Sequence, residues 1–180
     1  VEGHTSTNDT VLLLANGAAG APTLADAELE DFSRMLSEVC VELAKAIPND
    51  GEGASHLIEV NVSGCSSRDD AFRIAKAIAD SPLVKTAVTG ADPNWGRIVS
   101  AAGYAGVRFD PRESTLRLNG TLLYEKGAPV EFDAAIVSDD LAKNRETQID
   151  FSLQQGTSHV RFWTCDLTAE YVRLNADYHT

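Results

Sequence analysis

The 180-residue chain has few basic residues, few cysteines and no long apolar run. Lysine and arginine together number 15 against 27 acidic residues, and the net charge is −12. This charge has the wrong sign for neutralising phosphates, which argues against nucleic acid and anionic membranes as partners. No apolar stretch approaches the roughly 20 residues that cross a bilayer, so the sequence predicts no spanning helix.

The three cysteines, Cys40, Cys65 and Cys165, are an odd number without CxxC spacing. This pattern predicts neither a disulfide framework nor a zinc site, and it fits a reducing, cytoplasmic location. The chain also lacks the phosphate-binding glycine motifs, HExxH, GxSxG and the calcium-loop pattern. Each histidine stands without a metal partner at ligand spacing, so we expect no metal and no cofactor.

With 43% apolar and 23% charged residues, residues 1–180 have an ordinary globular composition and the length of one domain. Such a domain buries roughly 70% of the surface that its unfolded chain exposes. The apolar periodicity predicts strands and helices in turn. The predicted strands are 11–16, 56–64, 83–90, two short pieces within 114–124, 147–155 and 159–165. The predicted helices are a long one from Thr23 to Pro48, one capped by Ser67, one starting near Asn94, one at 133–142 and one in the last segment.

Strands and helices that alternate early and give way to neighbouring strands later predict an α+β fold, a mixed sheet covered by helices. The stretch TGADPNWGR, residues 89–97, is a turn in which Asp92 or Asn94 caps a helix of small residues. A helix start of this kind can bind an anion through its backbone N–H groups. The commoner roles are structural, with Trp95 packed in the core and Arg97 paired with a buried carboxylate.

Glu52 lies between two glycines in DGEGAS, where the backbone can approach a ligand closely and a carboxylate can hold an ammonium group. The alternative is that Gly51 and Gly53 serve a turn and Glu52 is a solvated acid. The hydroxyls of Thr5, Ser6 and Thr7 in TSTNDT, residues 5–10, could be nucleophiles. They have no base nearby in sequence, which favours a structural turn before a strand.

Five blocks of the sequence together resemble the bifunctional ornithine acetyltransferase (glutamate N-acetyltransferase) family of arginine biosynthesis, in the same order and from the first residue to the last. The blocks are TSTNDTVLLLANG, DGEGASHLIEVNVSG, GADPNWGRIVSAAGYAG, CDLTAEYV and LNADYHT. The resemblance implies a fold of the DmpA/ornithine acetyltransferase type. It also implies a precursor that cleaves itself before a threonine into α and β chains. The sequence resembles the C-terminal part of a β chain, and the Ala-Thr-Met cleavage motif is expected upstream of Val1.

The chemistry implied by the resemblance is transfer of an acetyl group from N2-acetylornithine to glutamate through an acetyl-threonine intermediate. The resemblance places the catalytic threonine outside this chain. It also implies that Glu52, Asn175 and Thr180 bind substrate, because they match the substrate-binding residues of the family. The resemblance implies no metal, prosthetic group or other cofactor, and it implies an α2β2 heterotetramer as the assembly. Some members of the family also use acetyl-CoA. His56 stands where the resemblance implies lysine or arginine. The sequence therefore does not decide whether this position carries a positive charge.

Two alternatives remain beside this interpretation. One is a noncatalytic domain of the same fold that binds amino acids or serves assembly. The other is a relative that acts on other acyl amino acids.

Overall fold

A mixed six-stranded sheet in the order β4-β3-β2-β5-β1-β6 forms the centre of the computed structural model, which describes residues 1–4 and 8–178. Strands β1 and β5 are parallel, and the other neighbours are antiparallel. The strands are β1 (Leu57–Cys65), β2 (Thr115–Leu118), β3 (Thr121–Glu125), β4 (Ala128–Pro129), β5 (Glu146–Ser152) and β6 (Ser158–Cys165). The α+β prediction is confirmed.

Six α-helices and one 3-10 turn, Pro111–Glu113, accompany the sheet in the described residues. Two caps agree with the sequence, because the Ser67 and Asn94 side chains accept hydrogen bonds at the starts of α2 and α4. None of the helices within residues 1–4 and 8–178 is both long and apolar enough to cross a membrane. The helices are α1 (Asp26–Asn49), α2 (Arg68–Ala79), α3 (Pro82–Thr89), α4 (Trp95–Gly103), α5 (Ala134–Lys143) and α6 (Ala169–Asp177).

The core lies on one face of the sheet, under α2 and α4. Val60 and Val62 of β1 and Ile149 and Phe151 of β5 are fully buried, and they alternate with polar residues that face the other side. Helix α2 covers them with Ala71, Ile74, Ala75, Ile78 and Ala79. Phe72 of the same helix is half exposed and lies against Phe162 with ring centroids 5.8 Å apart.

The predicted strand at 83–90 is wrong, because this segment is helix α3. Its start carries a helix signal, since the Ser81 side chain accepts a hydrogen bond from the Val84 N–H and Pro82 occupies the first turn. Ser81 and Pro82 directly follow α2, and the same residue types also end a helix. The sequence pattern therefore does not distinguish the end of α2 from the start of α3. Two short helices meeting at a Ser-Pro corner therefore replace a helix followed by a strand.

The predicted strand at 11–16 is also wrong. Residues 11–16 have no regular secondary structure, and Leu12 and Leu14 are 76% and 90% exposed. The apolar run at 11–16 predicts burial, but in this structure it has no sheet edge or core to bury it.

Strands β5 and β6 exist as predicted on either side of Gly156. They do not pair with each other, because β1 lies between them in the sheet.

Trp95 begins α4 and is partly buried, with its ring stacked on Tyr124 at 5.5 Å between centroids. The core position expected for it is therefore reached only in part. Arg97 pairs with no carboxylate of residues 1–4 and 8–178; its guanidinium donates to the Leu83 carbonyl at 3.0 Å and lies 3.4 Å from the Thr86 hydroxyl. The arginine therefore joins α4 to α3 through neutral acceptors.

Replacing Trp95 with alanine is expected to lower the free energy of unfolding by about 2–3 kcal/mol, below the range for a fully buried tryptophan. The loss comes from the stacked contact with Tyr124 and from the apolar area that the indole covers. Urea unfolding measures it. Tyr104→Ala is the matched control, because Tyr104 is 88% exposed, and its effect should stay within about 0.5 kcal/mol. Equal effects of the two substitutions would contradict the packing described for Trp95.

Candidate functional site

Asp166 joins three parts of the chain in the interior of the molecule. Its side chain is fully buried and accepts hydrogen bonds from the backbone N–H of Ser55 at 2.8 Å and of His56 at 2.9 Å. The hydroxyls of Ser55 and Thr89 donate to its second oxygen at 2.5 and 3.0 Å. Burial alone would raise the pKa of Asp166, but these hydrogen bonds outweigh it and the pKa lies below its ordinary value. The carboxylate therefore fixes the start of β1 against the end of β6 and α3.

Ser55, His56 and Asp166 have the composition of a catalytic triad but not its geometry. His56 Nε2 lies 3.1 Å from the Leu141 carbonyl, which can only accept, so this nitrogen donates and is not available as a base. Its Nδ1 contacts both the Ser55 hydroxyl at 2.9 Å and Asp166 at 3.0 Å, whereas a triad places serine and acid at opposite nitrogens. The group is therefore structural, and Asp166 is the acid that faces His56.

The glycines on either side of Glu52 are required by contacts within the protein. A Cβ at Gly53, whose φ is +67°, would lie 2.7 Å from the backbone nitrogen of Tyr171 in the first turn of α6. A Cβ at Gly51 would lie 2.9 Å from Sγ of Cys165. The Thr168 hydroxyl also donates to the Gly53 carbonyl at 2.7 Å and caps α6. The loop is thus held tightly against the start of α6.

This contact brings two of the predicted site residues together. The amide of Asn175 donates to a carboxylate oxygen of Glu52 at 2.8 Å, although the residues are separated by 123 positions. Thr180, the third predicted residue, lies outside the described residues. That Glu52 and Asn175 share one site is therefore visible in the geometry, and their role in binding substrate stays a prediction.

The amide of Asn175 has no hydrogen left for a ligand in this arrangement. Besides its bond to Glu52, the same nitrogen donates to the Tyr171 carbonyl at 3.0 Å. Both partners only accept hydrogen bonds, so the orientation of the amide is fixed. In a site for amino acids an amide is suited to donate to a substrate carboxylate. What it presents instead is an oxygen that accepts, and its main effect is to hold Glu52.

Glu52 and Asn175 lie in an open groove of about 1390 Å³ between the end of α1, the 50–52 loop, β6 and α6. Acidic side chains outnumber cations along its described walls. Lys76 is bonded to Asp80 at 2.5 Å and so offers little positive charge to a ligand. The acidic residues are Glu2, Asp9, Asp50, Glu52 and Asp80. The groove favours a positively charged ligand group over a carboxylate.

Two further residues of this groove were missed in the sequence. The Tyr171 hydroxyl donates to a carboxylate oxygen of Glu2 at 3.1 Å. Burial, then the hydrogen bond to Glu2 and the charges of Glu2 and Glu52, raise the pKa of Tyr171. A hydrogen bond that the carboxylate accepts from its own backbone N–H, together with the one from Tyr171, holds the pKa of Glu2 below its ordinary value. The only sequence signal is that Tyr171 and Asn175 are four residues apart and so share a helix face.

A buried lysine lies behind the groove. Lys85 is 2% exposed, and its ammonium donates to the Thr164 hydroxyl at 2.5 Å and to the Cys165 carbonyl at 2.7 Å. Burial lowers the pKa of Lys85. Thr164 also lines the groove, so its hydroxyl connects the lysine to the groove wall. Lys85 was missed because its segment was predicted as a strand.

A smaller cavity of about 380 Å³ lies on the other side of Trp163. Its polar groups largely satisfy one another: Asn119 and Asn144 donate to Asp140 at 2.6 and 2.8 Å, and the Trp163 indole donates to Glu59 at 2.8 Å. Among the described residues, no group of three or more His, Cys, Asp and Glu side chains could hold a metal ion. The large groove, which contains Glu52 and Asn175, is therefore the candidate site.

A family model described as the ArgJ family matches residues 1–180, the whole chain. The chain belongs to the ArgJ family. An ArgJ arginine biosynthesis bifunctional protein of Rhodopirellula baltica is 46% identical over 183 residues, and one of Dehalococcoides mccartyi is 48% identical over 182. Each match covers 100% of this chain and 45% of the relative. The crystal structure of the ArgJ protein of Bacillus halodurans superposes with a TM-score of 0.92 at 39% identity, covering 99% of this chain and 84% of that one.

Family membership and the ArgJ fold agree with the resemblance found in the sequence. The chain spans about 45% of the length of the two bacterial ArgJ proteins. Its placement in the C-terminal part of a β chain stays a prediction.

Proposed function

We propose that the complete protein containing this chain transfers an acetyl group from N2-acetyl-L-ornithine to L-glutamate. The products are L-ornithine and N-acetyl-L-glutamate. The observation that carries the proposal is the contact between Glu52 and Asn175, within an acidic groove of a chain that matches the ArgJ family over its whole length. The relatives are named bifunctional proteins of arginine biosynthesis, which is the process that this reaction serves.

In this proposal the chain binds substrate and another part of the protein attacks it. The Glu52 carboxylate accepts hydrogen bonds from the ammonium group of an amino-acid substrate, and Asn175 holds this Glu52 carboxylate in place. A threonine outside residues 1–180 attacks the acetyl carbonyl, the amide C–N bond breaks, and ornithine leaves as the amine. The amino group of glutamate then attacks the threonine ester and takes the acetyl group.

Self-cleavage of a precursor, which frees the amine of that threonine to act as its base, belongs to the same proposal. So do the cytoplasmic location expected from the cysteines and the use of acetyl-CoA as a second acetyl donor. No metal or prosthetic group takes part in the proposed route. Thr180 is proposed as a third residue of the substrate site.

An apolar surface on α1 supports assembly with the rest of the protein. Although α1 has the predicted amphipathic periodicity, none of its residues is buried in this chain, and an exposed apolar segment precedes it. The exposed apolar residues of the helix are Leu29, Phe32, Met35, Val39, Leu43 and Ile47. A continuous apolar stripe of this length is typical of a covered surface. We propose that the α chain of the same precursor covers it in an α2β2 heterotetramer.

Replacing Phe32 with aspartate should weaken association with the α chain by about tenfold or more, because a charge would enter an apolar contact. Size-exclusion chromatography of the co-expressed chains, followed across protein concentration, measures the association. Ser37→Asp introduces the same charge on another side of α1 and should leave association unchanged. If the Phe32 variant assembles as well as the Ser37 variant, the proposed contact surface is wrong.

The test of the proposed function is to incubate the complete protein with N2-acetylornithine and labelled glutamate and to follow labelled N-acetylglutamate. We expect transfer without acetyl-CoA. Transfer only from other acyl amino acids would support a relative of different specificity. Binding of amino acids without any transfer would support the noncatalytic alternative.

A further inference from the structure

Helix α6 holds two carboxylates at the edge of the groove. The Tyr171 hydroxyl donates to Glu2 at 3.1 Å and the Asn175 amide donates to Glu52 at 2.8 Å. The two donors are one helical turn apart, and the Asn175 amide also donates to the Tyr171 carbonyl, so they form one unit. Two acids that are distant in sequence are thereby fixed on the same wall.

The charges of the two acids act on the same hydroxyl. Both carboxylates oppose ionisation of Tyr171, which therefore remains a donor. Tyr171 anchors the Glu2 side chain. Because this side chain is 41% exposed and lines the groove, it is still open to a ligand there. Among the described residues, the lysine of the groove is engaged by Asp80, and the exposed imidazole of His4 lies 3.7 Å from the other oxygen of Glu2. Because the charges of both acids reach the Tyr171 hydroxyl and both acids line the groove, a cation bound beside this hydroxyl is attracted by both carboxylates.

We propose that Glu2 is a specificity residue that binds the side-chain ammonium of the acetyl donor together with Glu52, and that Tyr171 is the positioning residue for Glu2. This inference rests on the proposed function. N2-acetylornithine has its α-nitrogen acylated, so its one ammonium group is at the end of the side chain. Glutamate carries a carboxylate there. A second acid on the groove wall therefore favours the donor and not the acceptor.

The test uses the complete protein and compares two donors, N2-acetylornithine and N2-acetylnorvaline, which has the same chain length without the ammonium group. In the unaltered protein kcat/KM favours N2-acetylornithine. Glu2→Gln should raise the KM for N2-acetylornithine by about tenfold, the size expected for one charge-assisted hydrogen bond, and remove most of that preference. The KM for glutamate should stay unchanged or fall, because a like charge has been removed from its path.

Three further variants separate recognition from structural damage. Tyr171→Phe should give the same pattern with a smaller rise, since Glu2 is retained but no longer anchored. Glu2→Asp, which keeps the charge, should restore part of the preference. Glu113→Gln removes an equal charge from an exposed position in the 3-10 turn and should change neither KM.

The inference is overturned if Glu2→Gln keeps the preference for N2-acetylornithine, or if it lowers kcat/KM equally for both donors. Either result would leave the proposed function intact, because the unaltered protein would still transfer acetyl groups. Failure of the unaltered protein to transfer from either donor would instead overturn the proposed function, and this inference with it.

Discussion

Replacing Asp166 with alanine is expected to lower the free energy of unfolding by about 3–5 kcal/mol, the cost of leaving several buried hydrogen-bond donors without their shared acceptor. The substitution leaves the backbone N–H groups of Ser55 and His56 without an acceptor in the interior. It also removes the acid that faces the imidazole of His56 at 3.0 Å. Because these bonds join segments 110 residues apart, the loss should appear as a change in global stability.

Urea unfolding of the purified protein measures the effect of Asp166→Ala. Asp139→Ala is the matched control, because its carboxylate is 61% exposed and pairs with Lys143 one turn away. Exposed pairs of this kind contribute little, so the control should stay within about 0.5 kcal/mol. Similar stability of the two variants would show that Asp166 does not hold the fold together.

The same network predicts how stability depends on pH. The folded pKa of Asp166 lies below its ordinary value, so the folded state binds this proton less readily than the unfolded chain. The contribution of Asp166 is therefore complete above the unfolded value of about 3.9 and is lost as pH falls through the lower folded value. We therefore expect the free energy of unfolding of Asp166→Asn to lie below that of the unaltered protein between pH 6 and 8. The two values should converge at acid pH, where Asp166 is protonated in the folded and the unfolded state.

Replacing Glu52 with alanine should raise the KM for N2-acetylornithine by about ten- to a hundredfold, the range for losing a charge-assisted hydrogen bond at a binding site. Stability should change by less than about 1 kcal/mol, because Glu52 is exposed and its removal leaves only one of the two amide hydrogens of Asn175 without its partner. Steady-state kinetics and urea unfolding on the same preparation separate the two effects.

Glu146→Ala is the control for Glu52, since Glu146 is exposed at the start of β5 and lies outside the large groove. It should leave the KM for both substrates unchanged. A Glu52 variant with normal kinetics for both substrates would remove Glu52 from the site. A variant that fails to fold would show instead that its role is structural.

The sheet and most helices could be predicted because local patterns specify them. The alternation of Ile58, Val60 and Val62 defines β1, and the caps at Ser67 and Asn94 define two helix starts. The errors occurred where a short apolar run allowed either structure, as at 83–90, or where burial depends on a surface that this chain does not supply, as at 11–16.

The site could not be assembled from local patterns, because its contacts connect distant residues. The contact of Asn175 with Glu52 spans 123 positions, and that of Tyr171 with Glu2 spans 169. Residue chemistry alone marked Glu52 as a candidate among many exposed acids. The family resemblance selected Glu52 and Asn175, but neither source indicated Glu2, Tyr171 or the buried Lys85.

The central claim is that these 180 residues bind the substrate while the attacking threonine lies elsewhere in the protein. Mass spectrometric mapping of the complete protein, quenched with N2-acetylornithine in the absence of glutamate, tests it most directly. The account predicts one acetyl group, carried by a threonine on a peptide outside residues 1–180 and lost when glutamate is added. An acetyl group that turns over on a residue within this chain would contradict it.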